Sequence, residues 1–203
     1  MDLIVATRNR HKIEEIEVIT EAFGFRLLSL DDVGLTDLEL IEDGTTFEEN
    51  SLKKARAVFE QGAGAVLADD SGLAVDFLEG APGVHSARFA GESADDQQNN
   101  CKLLRLLAGL PAEKRTARFI CVMTLLGVDS QPLIARGECA GQILKTQRGN
   151  AGFGYDPLFL PAGQSQTFAE MPSSIKNRIS HRAMALRELG RLIGELKGGQ
   201  MKK

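Results

Sequence analysis

The sequence predicts an α/β protein with a mixed β-sheet flanked by helices. Apolar runs of strand length alternate with helical patterns in the first half of the chain, whereas strand-like segments dominate the second half. No linker, internal repeat or low-complexity stretch divides the 203 residues. We therefore expect one domain over residues 1–203, made of two lobes that share the sheet, with a cleft between them.

The N-terminal segment predicts a strand followed by a helix. Leu3–Ala6 is a short apolar run typical of a buried strand. Beyond Lys12, apolar side chains recur at intervals of three or four residues, the spacing that places them on one face of a helix. These residues are Ile13, Ile16, Ile19 and Phe23. The polar stretch 31–44 that follows predicts a loop.

A second helix and two further strands complete the first half. Thr46 and Glu49 have the spacing of a capping box, which predicts a helix that begins there and ends near Gln61. Ala65–Ala68 and Leu73–Phe77 are predicted as two separate buried strands.

The second half predicts mainly strands and ends in a helix. The predicted elements are a glycine-rich loop at 80–91, a helix at 94–107, strands at 117–128, 132–139, 141–146 and 156–160, and a helix at 182–197. Tight turns join the strands of this half, so we expect antiparallel pairing. Ser180 is placed to cap the last helix, and residues 198–203 are expected to form a flexible tail.

Bulk composition narrows the possible functions. With 24 Lys and Arg against 28 Asp and Glu, the net charge is −4, which argues against a general nucleic-acid binder with its usual basic stripe. The three cysteines are far apart, so neither a disulfide framework nor a thiolate metal site is expected. The chain shows no signal-peptide pattern and no apolar run of membrane-spanning length. We therefore expect a cytoplasmic protein that does not bind membranes.

A polar turn separates the first strand from the first helix. At such a junction, backbone N–H groups and the helix dipole favour an anion, and hydroxyl, amide and ammonium groups add donors. The glycine spacing of a P-loop is absent. Two interpretations stay open, a phosphate-binding turn and an ordinary solvated turn. The residues concerned are Thr7, Arg8, Asn9, Arg10, His11 and Lys12.

Carboxylates in two places suggest a metal site. Glu42 precedes the capped helix, which carries Lys54, and Asp69 and Asp70 follow a buried apolar run. Adjacent carboxylates there are costly unless they are paired or bind metal. Side chains alternate along a strand, so we expect one of the two to enter the cleft. Oxygen donors without a His or Cys cluster suit Mg²⁺ better than zinc. A simple Asx turn that ends the strand is the alternative.

An aromatic side chain flanked by glycines suggests a site for a nucleobase. Phe153 lies between Gly152 and Gly154, and ligands can approach its flat face closely, as base stacking requires. A structural turn is the alternative. His181 and Arg182 fall in the first turn of the last helix, where cations oppose the helix dipole. A ligand that is anionic or carries a carbonyl would explain them.

In this order, the motifs resemble those of the inosine triphosphate pyrophosphatase family, also called Ham1-like or XTP/dITP diphosphatases. The matching segments extend from residue 7 to residue 182, with Phe89 standing where the family often has Tyr. They are Thr7-x-Asn9-x-x-Lys12, Glu42-x-Gly44-x-Thr46-Phe47-x-Glu49-Asn50, Ala68-Asp69-Asp70-Ser71-Gly72-Leu73, Gly80-Ala81-Pro82-Gly83 with Ser86-Ala87-Arg88, Gly152-Phe153-Gly154-Tyr155-Asp156-Pro157, and Ser180-His181-Arg182.

The resemblance implies an elongated two-lobed fold, a homodimer, and Mg²⁺-dependent hydrolysis of ITP, dITP and XTP to a monophosphate and pyrophosphate. It also implies a role for each matched residue. Thr7, Arg8, Asn9, Arg10, His11, Lys12 and Lys54 would hold phosphates, Glu42 and Asp70 would bind Mg²⁺, Asp70 would be the catalytic base, Ser71 would touch the substrate, Phe153, Gly154, Tyr155 and Asp156 would line the base site, and Lys176, His181 and Arg182 would contact the purine edge.

Two other functions remain as alternatives. A Maf-like nucleotide pyrophosphatase shares the reaction but prefers other modified bases, and the Ser180-His181-Arg182 segment argues against it. A nucleotide sensor without turnover is the second alternative. The carboxylates Glu42, Asp69 and Asp70 argue against a sensor, since binding alone does not require them.

Overall fold

The computed structural model describes residues 2–20, 24–62 and 64–200. Within them, six strands form one sheet in the order β2-β1-β3-β4-β5-β6. β1 is parallel to β2 and β3, and β5 is antiparallel to β6, so the predicted mixed sheet is confirmed. The elements are β1 (Asp2–Val5), α1 (Arg10–Thr20), β2 (Arg26–Leu28), α2 (Phe47–Phe59), β3 (Ala65–Val75), α3 (Asp96–Leu106), β4 (Thr116–Leu126), β5 (Leu133–Ile143), β6 (Phe159–Pro161), α4 (Ser173–Ile179) and α5 (His181–Gln200).

The chain divides into two compact units. Unit 1 comprises Met1–Asp70, Cys121–Gly137 and Arg182–Lys203, and unit 2 comprises Ser71–Ile120 and Glu138–His181. The three longest strands, β3, β4 and β5, each contribute residues to both units. The cleft expected from the sequence stays a prediction.

The core of unit 1 explains the apolar run at its N-terminus. Leu3 and Val5 are buried in one hydrophobic cluster, together with Ile16 of α1, while Ile4 and Ala6 are buried in another. Successive side chains of β1 therefore enter cores on opposite faces, as expected for a parallel strand covered on both sides. In α5, the predicted apolar face contributes Ala185, Leu186 and Leu189 to the first cluster. Of the face predicted for α1, the Ile19 side chain and Phe23 lie outside the described residues.

The core of unit 2 is rich in aromatic side chains. Phe119 packs edge-on against Phe159 with a centroid distance of 4.7 Å, and Phe159 lies 5.3 Å from Phe168. Arg115 is buried beside this core, and its guanidinium donates to the main-chain carbonyls of Leu107, Ile143 and Leu144 at 2.6–2.7 Å. These bonds satisfy a charged group that would otherwise be costly to bury.

Two predicted strand breaks are wrong. The sequence placed a break between 132–139 and 141–146, but β5 is continuous through Gly141. A Cβ on Gly141 would lie 2.4 Å from the carbonyl oxygen of Leu160, so this glycine permits close approach of β6 rather than ending the strand. The other break, at Asp69–Gly72, is absent because β3 runs without interruption from Ala65 to Val75.

Smaller differences concern the ends of elements. β2 and α4 were not predicted, and β6 is shorter than the strand expected at 156–160. α5 begins one residue earlier than predicted and extends to Gln200, so 198–200 are helical, while 201–203 lie outside the described residues. Thr46 caps α2 as expected, since its hydroxyl accepts from the Glu49 amide. None of the described helices combines the length and hydropathy needed to cross a membrane.

Candidate active site

Side chains of the polar turn after β1 shape the start of α1. The Thr7 hydroxyl accepts from the amide of Asn9 at 3.2 Å. The Asn9 side-chain oxygen then accepts from the amide of Lys12 at 3.3 Å, so Asn9 caps the helix. Because β1 and β3 are parallel and Val5 is in register with Leu67, this turn lies beside the segment of β3 that follows Leu67. The turn therefore combines a helix N-terminus with the neighbouring carboxylates of β3.

Arg8 contacts a loop rather than the turn itself. Its guanidinium donates to the carbonyl of Thr36 at 2.7 Å and also to the carbonyl of Leu38. The side chain therefore ties the turn to the loop that leads to Glu42. Arg10 and His11 are exposed at the start of α1.

Asp69 is fully buried and receives two cations. The Lys12 ammonium lies 3.0 Å from its Oδ2, and a guanidinium nitrogen of Arg182 lies 3.4 Å from the same oxygen. Arg182 also pairs with Glu15, which makes a continuous chain of charges inside unit 1. Burial alone would raise the pKa of Asp69, but the charges of Lys12, Arg182 and Lys54 outweigh it and hold the pKa well below its usual range. Asp69 is therefore ionised at neutral pH.

Asp70, the next residue, has a different environment. Its Oδ1 lies 3.5 Å from the Lys54 ammonium, and its Oδ2 accepts from the Asn50 amide at 3.0 Å. Desolvation raises the pKa of Asp70 above its usual value, with the attraction of Lys54 and Lys12 only partly opposing it. A raised pKa improves a carboxylate as a proton acceptor, which suits a general base.

Lys54 links Asp70 to Glu42. Its ammonium lies 2.5 Å from Oε1 of Glu42 and 3.5 Å from Oδ1 of Asp70, so these two oxygens are no more than 6.0 Å apart, the sum of the two distances. Asn50 also holds the chain near Glu42, because its side-chain oxygen accepts from the Gly44 amide at 2.7 Å. A Cβ on Gly44 would lie 2.6 Å from that oxygen, so only glycine fits there.

The acidic residues can be tested as a metal site. Among the described residues, no group of three or more His, Cys, Asp and Glu side chains could hold a metal ion. Mg²⁺ is typically bound through only one or two carboxylates, with water and substrate phosphates completing its shell. The close pair Glu42 and Asp70 fits that mode, and does not fit a metal held by protein ligands alone.

A separate group in unit 2 surrounds Phe153. The Lys176 ammonium lies 5.0 Å from the centre of the Phe153 ring and pairs with Oδ2 of Asp156 at 2.6 Å. The same oxygen accepts from the Phe153 amide at 3.0 Å. A Cβ on Gly152 would lie 2.1 Å from that carboxylate, which explains the glycine. Lys176 and Asp156 are both buried, so the loop is held by an ion pair away from solvent.

Three other predicted residues of unit 2 occupy well-defined positions. The Tyr155 hydroxyl donates to the carbonyl of Ser86 at 2.9 Å inside the core, so its ring is part of the scaffold. The His181 ring stacks on Phe119, with centroids 4.7 Å apart and the planes 12° from parallel. Ser71 is half-buried within β3.

Comparison with known proteins identifies the family. The model of the Ham1 family matches residues 3–192, nearly the whole chain. The chain belongs to the Ham1 family. This confirms the resemblance found in the ordered motifs.

Several relatives of this Ham1 protein are named dITP/XTP pyrophosphatase. A dITP/XTP pyrophosphatase of Desulforamulus reducens is 47% identical over 197 residues, covering 97% of each chain. Proteins of the same name from Geobacter sulfurreducens and Bacillus subtilis are 49% and 45% identical, and the alignments cover 91% and 95% of this chain. The similarity therefore extends over full-length relatives.

Solved structures support the fold. The Ham1 protein of Staphylococcus aureus is 35% identical with a TM-score of 0.84, and the match covers 98% of this chain and all of that one. A Ham1 protein of Coxiella burnetii is 36% identical with a TM-score of 0.85, over 96% of this chain and 99% of the other.

The structure of the Ham1 chain sorts the predicted site residues into two groups. The first group belongs to unit 1 and comprises Thr7, Arg8, Asn9, Arg10, His11, Lys12, Glu42, Lys54, Asp70 and Arg182. The second group belongs to unit 2 and comprises Ser71, Phe153, Gly154, Tyr155, Asp156, Lys176 and His181. Arg182, predicted together with the base-contacting residues, is in contact with Asp69 and Glu15.

Sequence reasoning assigned no role to two residues whose side chains contact predicted site residues. Glu15 was not singled out, although it lies three residues after Lys12 and therefore on the same side of α1. Asn50 was matched as part of the motif that begins at Glu42, but it was given no role. It lies four residues before Lys54 and therefore on the same helix face, and that spacing was the available signal for its bond to Asp70.

Proposed function

We propose that this protein hydrolyses noncanonical purine nucleoside triphosphates, namely ITP, dITP and XTP, to the monophosphate and pyrophosphate. Relatives named dITP/XTP pyrophosphatase, 45–49% identical over most of the chain, support the reaction. The observation that carries the proposal is the contact of one buried ammonium, Lys54, with both Glu42 and Asp70. Two carboxylates can bind a divalent cation together with substrate phosphates, and an ammonium beside them can contact phosphate oxygens.

The phosphate-binding role falls to the turn after β1 and to Lys54. The N-terminus of α1 offers amides and a positive dipole, and Lys12 adds an ammonium whose side chain is only 14% exposed. Arg8, Asn9, Arg10 and His11 complete the proposed set. Phosphoryl transfer requires mainly positioning and charge neutralisation, which such donors supply.

The metal role falls to Glu42 and Asp70, with Mg²⁺ as the proposed ion. Mg²⁺ bound there would neutralise charge on the phosphates and on the departing pyrophosphate. Asp70, with its raised pKa, would accept a proton from the attacking water. The water oxygen then bonds to the α-phosphorus, and the bond from that phosphorus to the bridging oxygen breaks. Asn50 fixes the carboxylate by donating to its second oxygen.

Recognition of the base falls to the group around Phe153. Its ring would stack on the purine, while the Lys176 ammonium, fixed by Asp156, would donate to the 6-keto oxygen. His181 and Arg182 are also proposed to contact the purine edge. Ser71, Gly154 and Tyr155 are proposed to line the rest of the base site. The triphosphate of a 6-keto purine nucleoside has both a polyanionic group for the proposed phosphate-binding residues and an aromatic base with a keto oxygen for the residues around Phe153.

We also propose that the protein is cytoplasmic and forms a homodimer. Its only other binding partner would be the small-molecule substrate, so it would bind neither nucleic acid nor membranes. The net charge of −4 and the resemblance to the family support this assignment. Light scattering at several protein concentrations tests the dimer.

A pyrophosphate-release assay with ITP and Mg²⁺ tests the proposed function. We expect IMP and pyrophosphate, with phosphorus NMR showing no orthophosphate. Formation of IDP and orthophosphate would contradict the proposed site of attack. Binding of ITP without turnover would support the sensor alternative. Faster hydrolysis of modified pyrimidine triphosphates than of ITP would favour a Maf-like specificity.

A further inference from the structure

One face of α3 holds both backbone polar groups of Gly154. The Gly154 amide donates to Oδ2 of Asp96 at 2.6 Å, and its carbonyl accepts from Nδ2 of Asn100 at 2.9 Å. Asp96 and Asn100 are four residues apart, so they lie on the same side of the helix. The peptide groups on both sides of the Gly154 α-carbon are therefore fixed by one rigid element. All three residues belong to unit 2.

Holding Gly154 also holds Phe153. Gly154 has φ of +61°, a conformation that favours glycine and that would be mobile without outside contacts. On the other side of Phe153, its amide donates to Asp156, which is itself fixed by Lys176. The Phe153 backbone is thus anchored at both ends, and backbone position decides where the ring lies.

The helix that provides this anchor is itself well fixed. Asp95 caps α3, accepting from the Gln98 amide at 2.7 Å, while the Gln98 side chain accepts from the Asp95 amide at 2.9 Å. The buried side chain of Asn99 bonds to the amide of Ala90 at 2.7 Å and to the carbonyl of Ala87 at 3.0 Å. The anchor for Gly154 therefore does not depend on a mobile segment.

We propose that Asp96 and Asn100 are positioning residues that hold the Phe153 ring ready to stack on the purine. The proposal rests on the proposed function, because it takes Phe153 as the stacking side chain. Without the two bonds, substrate binding would have to order the loop, and the lost conformational entropy would weaken affinity. The effect should therefore fall on KM, while kcat, set by the residues around Asp70, should change little.

Tyr155 provides a readout that is independent of turnover. The chain has one tyrosine and no tryptophan, so tyrosine emission arises from the residue directly after Gly154. In the structure Tyr155 is buried, with its hydroxyl bonded to Ser86. Loosening of Gly154 should increase the quenching of this emission by acrylamide.

The test compares four substitutions. Asp96→Ala removes the acceptor for the Gly154 amide, and we expect KM for ITP to rise about fivefold with increased quenching. Asp96→Asn removes the same charge from the helix N-terminus but keeps an acceptor oxygen, so it should recover most of the wild-type KM. Asp95→Ala removes the helix cap and leaves the acceptor in place. It should lower Tm without raising KM. Asn100→Ala should also raise KM, but Asn100 is buried, so the exposed Asp96 carries the comparison.

Three results would overturn the proposal. The first is an Asp96→Ala enzyme with wild-type KM and quenching, and the second is a fall in its kcat with KM unchanged. The third is an equal rise of KM in Asp95→Ala, which would assign the effect to helix stability. A wild-type enzyme that does not turn over ITP would contradict the proposed function instead. The quenching comparison would then still decide whether Asp96 fixes Gly154.

Discussion

Asp69 and Asp70 are adjacent on β3, yet their carboxylates lie in opposite electrostatic environments. Asp69 receives Lys12 and Arg182 on a single oxygen, and its pKa falls well below the usual range. Asp70 contacts Lys54, but its burial near Glu42 raises its pKa. The two neighbours therefore suit different tasks, a permanent negative charge and a proton acceptor.

The first prediction concerns Asp70. Asp70→Asn should lower kcat/KM for ITP about 10³-fold or more, because the proposed base and a metal ligand are lost together. The fold should be kept, since burial already disfavours the charged form of Asp70 and asparagine is neutral. Steady-state kinetics and a thermal melt check both parts. Near-normal turnover in Asp70→Asn combined with loss in Asp69→Asn would reverse the assignment of the two residues.

The second prediction concerns Asp69 and stability. Asp69→Asn leaves Arg182 and Lys12 facing a neutral side chain in a buried site, so the free energy of unfolding at pH 7 should fall by about 3 kcal/mol. Urea unfolding measures the change, with the exposed Asp37→Asn as a matched control that should alter little. If Asp69→Asn were as stable as Asp37→Asn, the prediction would be wrong, and Arg182 and Lys12 would have to be stabilised by other partners.

The pH dependence of that difference follows from the sign of the shift. The pKa of Asp69 is lower in the folded protein than its ordinary value of about 3.9, so its ionised form stabilises the fold at any pH above that value. This contribution is lost as the pH falls below about 3.9 toward the folded-state pKa. The difference in the free energy of unfolding between wild type and Asp69→Asn should therefore be constant near neutral pH and should become smaller in strong acid. A gap that widens in acid would contradict the assigned ionisation.

The alternation of strands and helices could be predicted from the sequence because it depends on local apolar patterns. β1, α2 and α5 follow directly from the runs and caps around Leu3, Thr46 and Leu186. Continuity of β3 through Asp69 and Asp70 could not be predicted, because the cations that make these buried carboxylates tolerable come from α1, α2 and α5.

The same limit applied to individual site residues. Lys12 was expected to hold phosphates, but its side chain is only 14% exposed and its ammonium already pairs with buried Asp69. Arg8 was expected at the phosphates, yet its guanidinium bonds to carbonyls nearly thirty residues away. The motif gives the residue type at each position, whereas the direction of a long side chain depends on tertiary partners.

The third prediction concerns the metal. Chelation with EDTA should abolish turnover, and added Mg²⁺ should restore it. Glu42→Gln should raise the Mg²⁺ concentration needed for half-maximal activity about tenfold or more, because one of two proposed carboxylate ligands is lost. Glu39→Gln, an exposed carboxylate of the same loop, is the control and should keep the wild-type requirement. An unchanged Mg²⁺ dependence in Glu42→Gln would remove Glu42 from the metal site.

The fourth prediction concerns selectivity for 6-keto purines. The ammonium of lysine and the guanidinium of arginine only donate hydrogen bonds, so they suit a carbonyl at purine position 6. Adenine presents an amino donor there, and the opposed donors would be left without acceptors. Sites built on such bonds discriminate by roughly 10⁴-fold, so kcat/KM for ITP should exceed that for ATP by about that factor. Comparable values for ITP and ATP in the wild type would refute recognition by donors.

Arg182 provides the sharper test of this recognition, because the structure gives it a second task. Its side chain is 1% exposed, and its guanidinium pairs with Glu15 and with Asp69, which also pairs with Lys12. If Arg182 contacts the base, Arg182→Ala should lower kcat/KM for ITP far more than for ATP and reduce the ratio between them. If it acts only by holding Asp69 and Lys12, kcat/KM should fall equally for both substrates and the ratio between them should not change.

Lys176→Met is the reference variant for a base contact, because Lys176 pairs with Asp156 beside Phe153. This variant should reduce the ratio of kcat/KM for ITP to that for ATP. Measuring kcat/KM for ITP, ATP and GTP with the wild type, Arg182→Ala and Lys176→Met separates a base contact from a positioning role. An unchanged ratio in both variants would exclude Arg182 and Lys176 as the source of selectivity.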